Sequence, residues 1–291
     1  MMDLDTFVQL SDEHIAQLMH QSGQTVCVFP ISGTRRWYTM EYGKHLNGHA
    51  TQHYLDEVRQ RLLDLYRLFF SHGIHTLLSP LPGLLEEQKE WTSRMAWLDM
   101  LTTHSDFLAF YEEWGVRVCF YGDYRRQLAG TPYAYLPGQF ERLSKYTRKN
   151  SAHRLFYGIF PQNAAENIAD LSVRHFIRTG AVPNRRVMSE LYYGEPIETA
   201  NLFVGFGVFN PADYPLLEFS ERSLYFTSAP SFYLEKDQLR YILHDYLHPR
   251  REPEIQQLSE PELAAMKDFY LAQRNATFGL SSLWPGMWGS C

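Results

Sequence analysis

Apolar residues along this chain follow two periodicities. Short runs rich in β-branched, Leu and aromatic residues read as strands: Thr25 to Ile31, His75 to Leu81, Val116 to Tyr121, Arg154 to Phe160, Asn201 to Phe206 and Ser223 to Thr227. Between them lie longer stretches in which apolar positions recur every three or four residues. The clearest is Leu55, Val58, Leu62, Leu65 and Phe69, with Asp56, Glu57, Arg59, Arg61 and Arg67 lying mostly elsewhere around the helix. This pattern predicts an amphipathic crossover helix ending at Gly73. Further helices are predicted from Leu85 to Trp114, interrupted or kinked within, and over Gln162 to Thr179, Glu235 to His248 and Glu260 to Gln273. Strands alternating with helices specify an α/β fold with a central, mostly parallel six-stranded sheet flanked by helices. The stretch Gln127 to Asn150, with Pro132 and Pro137, reads as the longest loop, of the kind that forms a lid or wall of a site. Without an internal repeat or linker, residues 1–291 are expected to form one domain.

Charge narrows the choice of partner. With 27 basic and 33 acidic residues the net charge is -6, which gives no field for the phosphate surface of a nucleic acid. A small anion needs only a local positive pocket. No apolar stretch reaches the roughly 18 residues of a membrane span. The N-terminus carries Asp3 and Asp5 in place of a basic leader, so a cytoplasmic protein is expected. Cys27, Cys119 and Cys291 are odd in number and far apart, which suits reduced thiols. The 19 Tyr, 19 Phe and 6 Trp exceed what a generic core requires and suit equally an aromatic-rich core or a pocket for a large hydrocarbon whose carbocations aromatic faces stabilise.

The most informative segment runs from Val28 to Tyr38. It places Gly33, Thr34, Arg35 and Arg36 at the C-terminal end of the first strand, where open parallel sheets bind ligands. Glycine lets backbone amides approach an anion, Thr34 adds a hydroxyl, and the two guanidinium groups offer planar forks to phosphate oxygens. The same residues also suit a solvated surface turn, but their place after the first strand favours a diphosphate site. Other candidates carry less. His72 and His75 straddle Gly73 and suit a helix end better than a zinc site. Asp123 suits a turn or a site equally, Arg185 and Arg186 suit solvent or a subunit contact, and Glu86, Glu87 and Glu90 read as a solvated helix face.

Ser32-Gly33-Thr34-Arg35-Arg36-Trp37 resembles the Asp-Gly-Asn-Gly-Arg-Trp signature of cis-prenyltransferases. The closer resemblance is to the tuberculosinol, tuberculosinyl-adenosine and kolavelool synthases of that superfamily. It runs through Phe29-Pro30, His72-Gly-Ile74, Phe120-Tyr-Gly-Asp-Tyr124, His153-Arg-Leu155, Tyr192-Tyr-Gly-Glu195, Phe203-Val-Gly-Phe-Gly207 and Ser223-Leu-Tyr-Phe-Thr227 with Ala229-Pro-Ser231. The resemblance implies the cis-prenyltransferase fold, a homodimer, diphosphate held by Gly33, Thr34, Arg35 and Arg36, and a hydrocarbon tail beside the crossover helix. By position Tyr54 falls on an active-site tyrosine of that family. Trp37, Tyr54, Tyr192 and Tyr193 are the candidates for lining the hydrocarbon pocket, and Arg36, Tyr54 and Ser32 the candidates for catalysis.

Two departures shape the functional expectation. Ser32 replaces the family's Asp, and a hydroxyl is a weaker Mg²⁺ ligand than a carboxylate. Either Mg²⁺ is held mainly by the substrate's own oxygens, or Ser32 is a change that slows turnover. The segment from Gly205 to Pro215 lacks the arginines with which chain-elongating relatives grip isopentenyl diphosphate, so elongation is not expected. Neither Asp-Asp-X-X-Asp nor Asp-X-Asp-Asp occurs in the chain, so an upstream diterpene cyclase is expected to supply a preformed ring system. The resemblance then implies loss of diphosphate from a bicyclic C20 substrate, of halimadienyl (tuberculosinyl) or kolavenyl (clerodienyl) type, and capture by water to give an alcohol. The alternatives are transfer of the diterpenyl group to adenosine or another acceptor, and a catalytically silent isoprenoid-binding homologue.

Overall fold

The computed structural model describes residues 2–23, 25–43, 52–81, 91–160, 164–206, 223–248 and 259–273. Its strands are β1 (Val26–Val28), β2 (Thr76–Leu81), β3 (Val116–Tyr121), β4 (His153–Ile159), β5 (Leu202–Phe206) and β6 (Ser223–Thr227). The helices are α1 (Leu4–Val8), α2 (Asp12–Ser22), α3 (Thr34–Tyr42), α4 (Gln52–Ser71), α5 (Trp91–Thr103), α6 (Ser105–Glu113), α7 (Tyr124–Leu128), α8 (Leu136–Tyr146), α9 (Ala164–Thr179), α10 (Arg185–Tyr193), α11 (Lys236–Leu247) and α12 (Glu260–Gln273).

All six expected strands form, and every pairing is parallel, in the order β3-β4-β2-β1-β5-β6. β1 is shorter than its apolar run because Pro30 has no N–H to give. Its backbone nevertheless stays beside β2 as far as Ile31, through Phe29 N to Leu78 O at 2.8 Å and Ile31 N to Pro80 O at 3.0 Å. From β1 the chain turns to one side, to β2, β3 and β4. It then crosses to β5 and β6 on the other. The connections therefore reverse direction between β1 and β5, which opens a crevice at the carboxyl ends of that pair.

Alternation along the strands divides the core in two. Cys27, Leu77, Val118, Leu155 and Tyr157 face the larger apolar cluster, and Val26, Val28, Leu78, Cys119 and Phe156 face the smaller one with Tyr192 and Tyr193. The crossover helix α4 buries Tyr54, Val58, Leu62, Leu65 and Phe69, together with Leu63, Tyr66 and Phe70, into the larger cluster. Each such side chain contributes about 2 kcal/mol of transfer free energy. The helix stops at Gly73, whose φ is 88° and where a Cβ would meet Ala16 Cα at 2.7 Å, so that no other residue fits. Cys27 and Cys119 are free and buried, and desolvation pushes both thiols up, Cys119 to about 12. Cys291 lies outside the described residues.

One expectation holds and one is corrected. The interruption expected between Leu85 and Trp114 falls at His104, whose backbone turns extended and whose ring accepts from Asp106 N at 3.2 Å, starting α6 afresh. The start of that predicted helix at residues 85–90, with Glu86, Glu87 and Glu90, lies outside the described residues. The stretch from Gln127 to Asn150 is no open loop. It contains α8, which starts with Pro137 in its first turn and buries Leu136, Phe140 and Leu143 at helical spacing. Phe140 stacks on Phe120 of β3 at 4.3 Å, so this segment is core wall.

Candidate active site

The crevice between β1 and β5 holds the Gly33 turn. Gly33 is the N-cap of α3, in the left-handed conformation (φ 75°, ψ 17°), with no side chain to cap the helix. Trp37 N is the first amide to reach a helical carbonyl, that of Gly33 at 2.9 Å. The amides of the turn before it lie beyond reach of any helical acceptor and present the positive end of the helix. That is the geometry of an anion cradle.

Charged and hydroxyl groups surround it. Arg36 is exposed, its guanidinium 5.8 Å from the ring centroid of Phe206 at the end of β5. Thr34 Oγ1 lies 2.9 Å from the hydroxyl of Tyr54, which α4 brings in with its ring 8% exposed. Burial pushes the Tyr54 phenol up, against the pull of its hydrogen bond to Thr34 and of the Arg35 and Arg94 guanidinium groups. Arg94, on α5, is thus a further cation whose field reaches Tyr54. No sequence spacing singled it out. Aromatic rings continue the wall, with Tyr38 edge-on to Tyr54 at 5.2 Å and Trp37 edge-on to Phe232 at 5.0 Å. A second group missed by sequence reasoning lies behind: Tyr38 Oη is 2.8 Å from His53 Nδ1, and Tyr42 Oη donates to Glu57 Oε2 at 2.5 Å.

The donor set suits an anion and does not suit a protein-held Mg²⁺. The groups converging on the turn are amides, hydroxyls and guanidinium groups, Ser32 offers a hydroxyl where a hard cation prefers a carboxylate, and no cluster of three His, Cys, Asp or Glu occurs among the described residues.

Other expected residues lie elsewhere. Tyr192 and Tyr193 are on α10, beneath the opposite face of the sheet, packed on Tyr121 at 5.6 and 4.9 Å, so the structure does not bring them to Trp37 and Tyr54. Tyr192 lines a polar cavity of about 670 Å³ beyond β3, together with Asp123. There Asp123 accepts from Arg126 Nε at 2.8 Å and Gln127 Nε2 at 3.0 Å. His72 is fully buried, with Nδ1 2.9 Å from Leu68 O and Nε2 accepting from Arg240 Nε at 3.2 Å, a helix-end structural role. Arg185 and Arg186 are exposed at the start of α10. Of the arginine-free segment from Gly205 to Pro215, only Gly205 and Phe206 are among the described residues.

No protein-family model matches the chain. Among curated proteins it is 34% identical to tuberculosinyl adenosine transferase of Mycobacterium tuberculosis over 289 residues, covering 97% of this chain and 96% of that protein. It is 27% identical to (+)-kolavelool synthase of Herpetosiphon aurantiacus over 255 residues, 84% of this chain and 82% of that one. Among solved structures, lavandulyl diphosphate synthase from Lavandula x intermedia, in complex with dimethylallyl diphosphate, matches with a TM-score of 0.59 at 15% identity, over 78% of this chain and 97% of that one. A probable undecaprenyl diphosphate synthase from Campylobacter jejuni matches with a TM-score of 0.57 at 15% identity, over 79% and 97%. With an all-parallel sheet, a glycine-capped cradle at its switch point and a relative aligned from end to end, the chain belongs to the tuberculosinyl adenosine transferase family, on the cis-prenyltransferase fold.

Proposed function

We propose that this protein, acting as one catalytic domain, is a diterpene synthase that ionises a bicyclic C20 diphosphate of tuberculosinyl (halimadienyl) or kolavenyl (clerodienyl) type. The observation that carries this reading is the cradle itself: a glycine-capped helix start carrying Arg35 and Arg36 in its first turn, with Tyr54 adjoining it through Thr34. The allylic carbon–oxygen bond breaks with its electron pair on the departing diphosphate. Amides and guanidinium groups aimed at that developing charge lower the barrier most, because they are already oriented when the charge appears. The cation left behind meets the aromatic faces of Tyr54 and Trp37. A water oxygen then forms the new bond to carbon, and its surplus proton passes to the released diphosphate. The Ser32 hydroxyl orients that water.

A second reading, transfer to adenosine, is favoured by the end-to-end likeness to an adenosine transferase. Incubation with a panel of linear and bicyclic C20 diphosphates in ¹⁸O-labelled water, with and without adenosine, separates the readings by mass spectrometry. Labelled alcohol supports water capture, a dominant nucleoside adduct supports transfer, and no release of diphosphate from any substrate leaves the silent homologue. Because Ser32 offers a hydroxyl in place of a carboxylate, Mg²⁺ would enter mainly on the substrate's oxygens. We further place the protein in the cytoplasm as a homodimer, supplied by an upstream diterpene cyclase. Free buried thiols and exposed Phe176, Ile177 and Val182 around the end of α9 support this, and no helix among the described residues is long and apolar enough to cross a membrane.

A further inference from the structure

The turn after β6 reaches across the chain to the cradle. Ser231, 2% exposed, accepts at Oγ from the backbone N–H of Ser32 at 3.0 Å and donates to the carbonyl of the same residue at 2.8 Å. Its own N–H donates to that carbonyl at 3.2 Å. Beside it, Pro230 fills the space where a Cβ on Gly33 would stand, its Cβ at 2.9 Å. The far side of the turn is anchored separately, by Arg61 of α4, whose Nε donates to Phe232 O at 2.7 Å and whose Nη2 donates to Leu234 O at 2.8 Å.

We infer that Ser231 is a positioning residue for diphosphate, a latch that fixes the Ser32–Gly33 peptide and so aims the first amides of α3 at the anion. The inference rests on reading the cradle as a diphosphate site. A hydroxyl is suited to this because it accepts and donates at once, meeting both backbone polar groups of the half-buried Ser32, the N–H of the Ile31–Ser32 peptide and the C=O of the Ser32–Gly33 peptide. Remove it and the carbonyl keeps the Ser231 N–H, but the Ser32 N–H loses its acceptor. An amide shut off from water without an acceptor is costly, so the Ile31–Ser32 peptide rotates to find water, and the Ser32–Gly33 peptide, joined to it at the Cα of Ser32 and freed from the hydroxyl, shifts with it. Arg61 holds the same turn without touching Ser32. The two residues therefore separate latching from mere support of the turn.

The test is calorimetric titration with inorganic diphosphate, which reads the cradle whatever the hydrocarbon, alongside thermal unfolding. Ser231→Ala is expected to weaken binding at least tenfold, and Arg61→Met to lower Tm while leaving Kd within threefold of wild type. Should Ser231→Ala fail to fold, Ser231→Cys fills the site with a poorer acceptor and is expected to weaken binding at least threefold. Wild-type affinity in the Ser231 variants overturns the latch, and so does equal weakening by Arg61→Met, which would make the turn a general support. If the wild-type protein itself does not bind diphosphate, the reading of the cradle falls and the latch with it.

Discussion

Gly33→Ala tests whether the cradle is built as described, and its cost separates into two parts. The first is conformational: alanine at φ 75° pays about 1 kcal/mol for left-handed backbone. The second is contact. The new methyl would stand 2.9 Å from Pro230 Cβ and 3.0 Å from Phe206 Cε1, and neither a proline ring nor a packed phenyl yields cheaply. Overpacking of this kind costs about 2 kcal/mol. Gly130 supplies the control, since its φ is 72° and nothing lies within 4 Å of its would-be Cβ. Urea unfolding followed by circular dichroism should therefore show Gly130→Ala destabilised by about 1 kcal/mol and Gly33→Ala by about 3 kcal/mol. Relieving the clash moves the first amides of α3 away from the anion, and a shift of about 1 Å costs about a hundredfold in rate. Diphosphate release from a C20 substrate should fall accordingly in Gly33→Ala and stay unchanged in Gly130→Ala. Equal destabilisation of the two variants, with turnover intact in both, would refute the packing of Pro230 and Phe206 against the turn and its bearing on catalysis.

Arg36→Ala should lower kcat for ionisation about a hundredfold with the circular dichroism spectrum unchanged, because the guanidinium acts on the charge that develops as diphosphate leaves; wild-type turnover removes Arg36 from the site. Ser32→Asp should tighten Mg²⁺ dependence of diphosphate binding, since a carboxylate is the preferred protein ligand for this ion, and superimposable Mg²⁺ titrations would place position 32 away from the metal. His153, stacked on Phe70 at 4.3 Å, has its imidazole pushed down to about 4, chiefly by burial. Below the ordinary histidine value of 6.5 the unfolded chain takes up a proton that the folded protein refuses, so stability present above pH 6.5 is lost as pH falls toward 4. His153→Gln should flatten the decline of Tm between pH 6.5 and 4.

The sequence by itself determined the elements and their faces. Strand runs at Val116 to Tyr121 and Ser223 to Thr227 formed at the expected residues, and the stripe from Leu55 to Phe69 became the buried face of α4, because periodicity and turn chemistry are local properties of the chain. Gly33, Arg35 and Arg36 were legible for the same reason: glycine followed by cations after a strand is a local pattern. One local signal went unread, the spacing of Leu136, Phe140 and Leu143, which marks α8 despite the prolines around it. What only the tertiary structure decided was which faces meet. An apolar stripe records that a face is buried and not against what, so nothing in the sequence distinguished Tyr54, under the cradle, from Tyr192, beneath the opposite face of the sheet. Nor could spacing bring Arg94 to Tyr54, or set Ser231 on Ser32 across 199 positions. Those contacts follow from the strand order, which places β5 beside β1 and β6 next to it. That order is fixed by how the helices cover the two faces of the sheet, a property of the whole chain that no single segment carries.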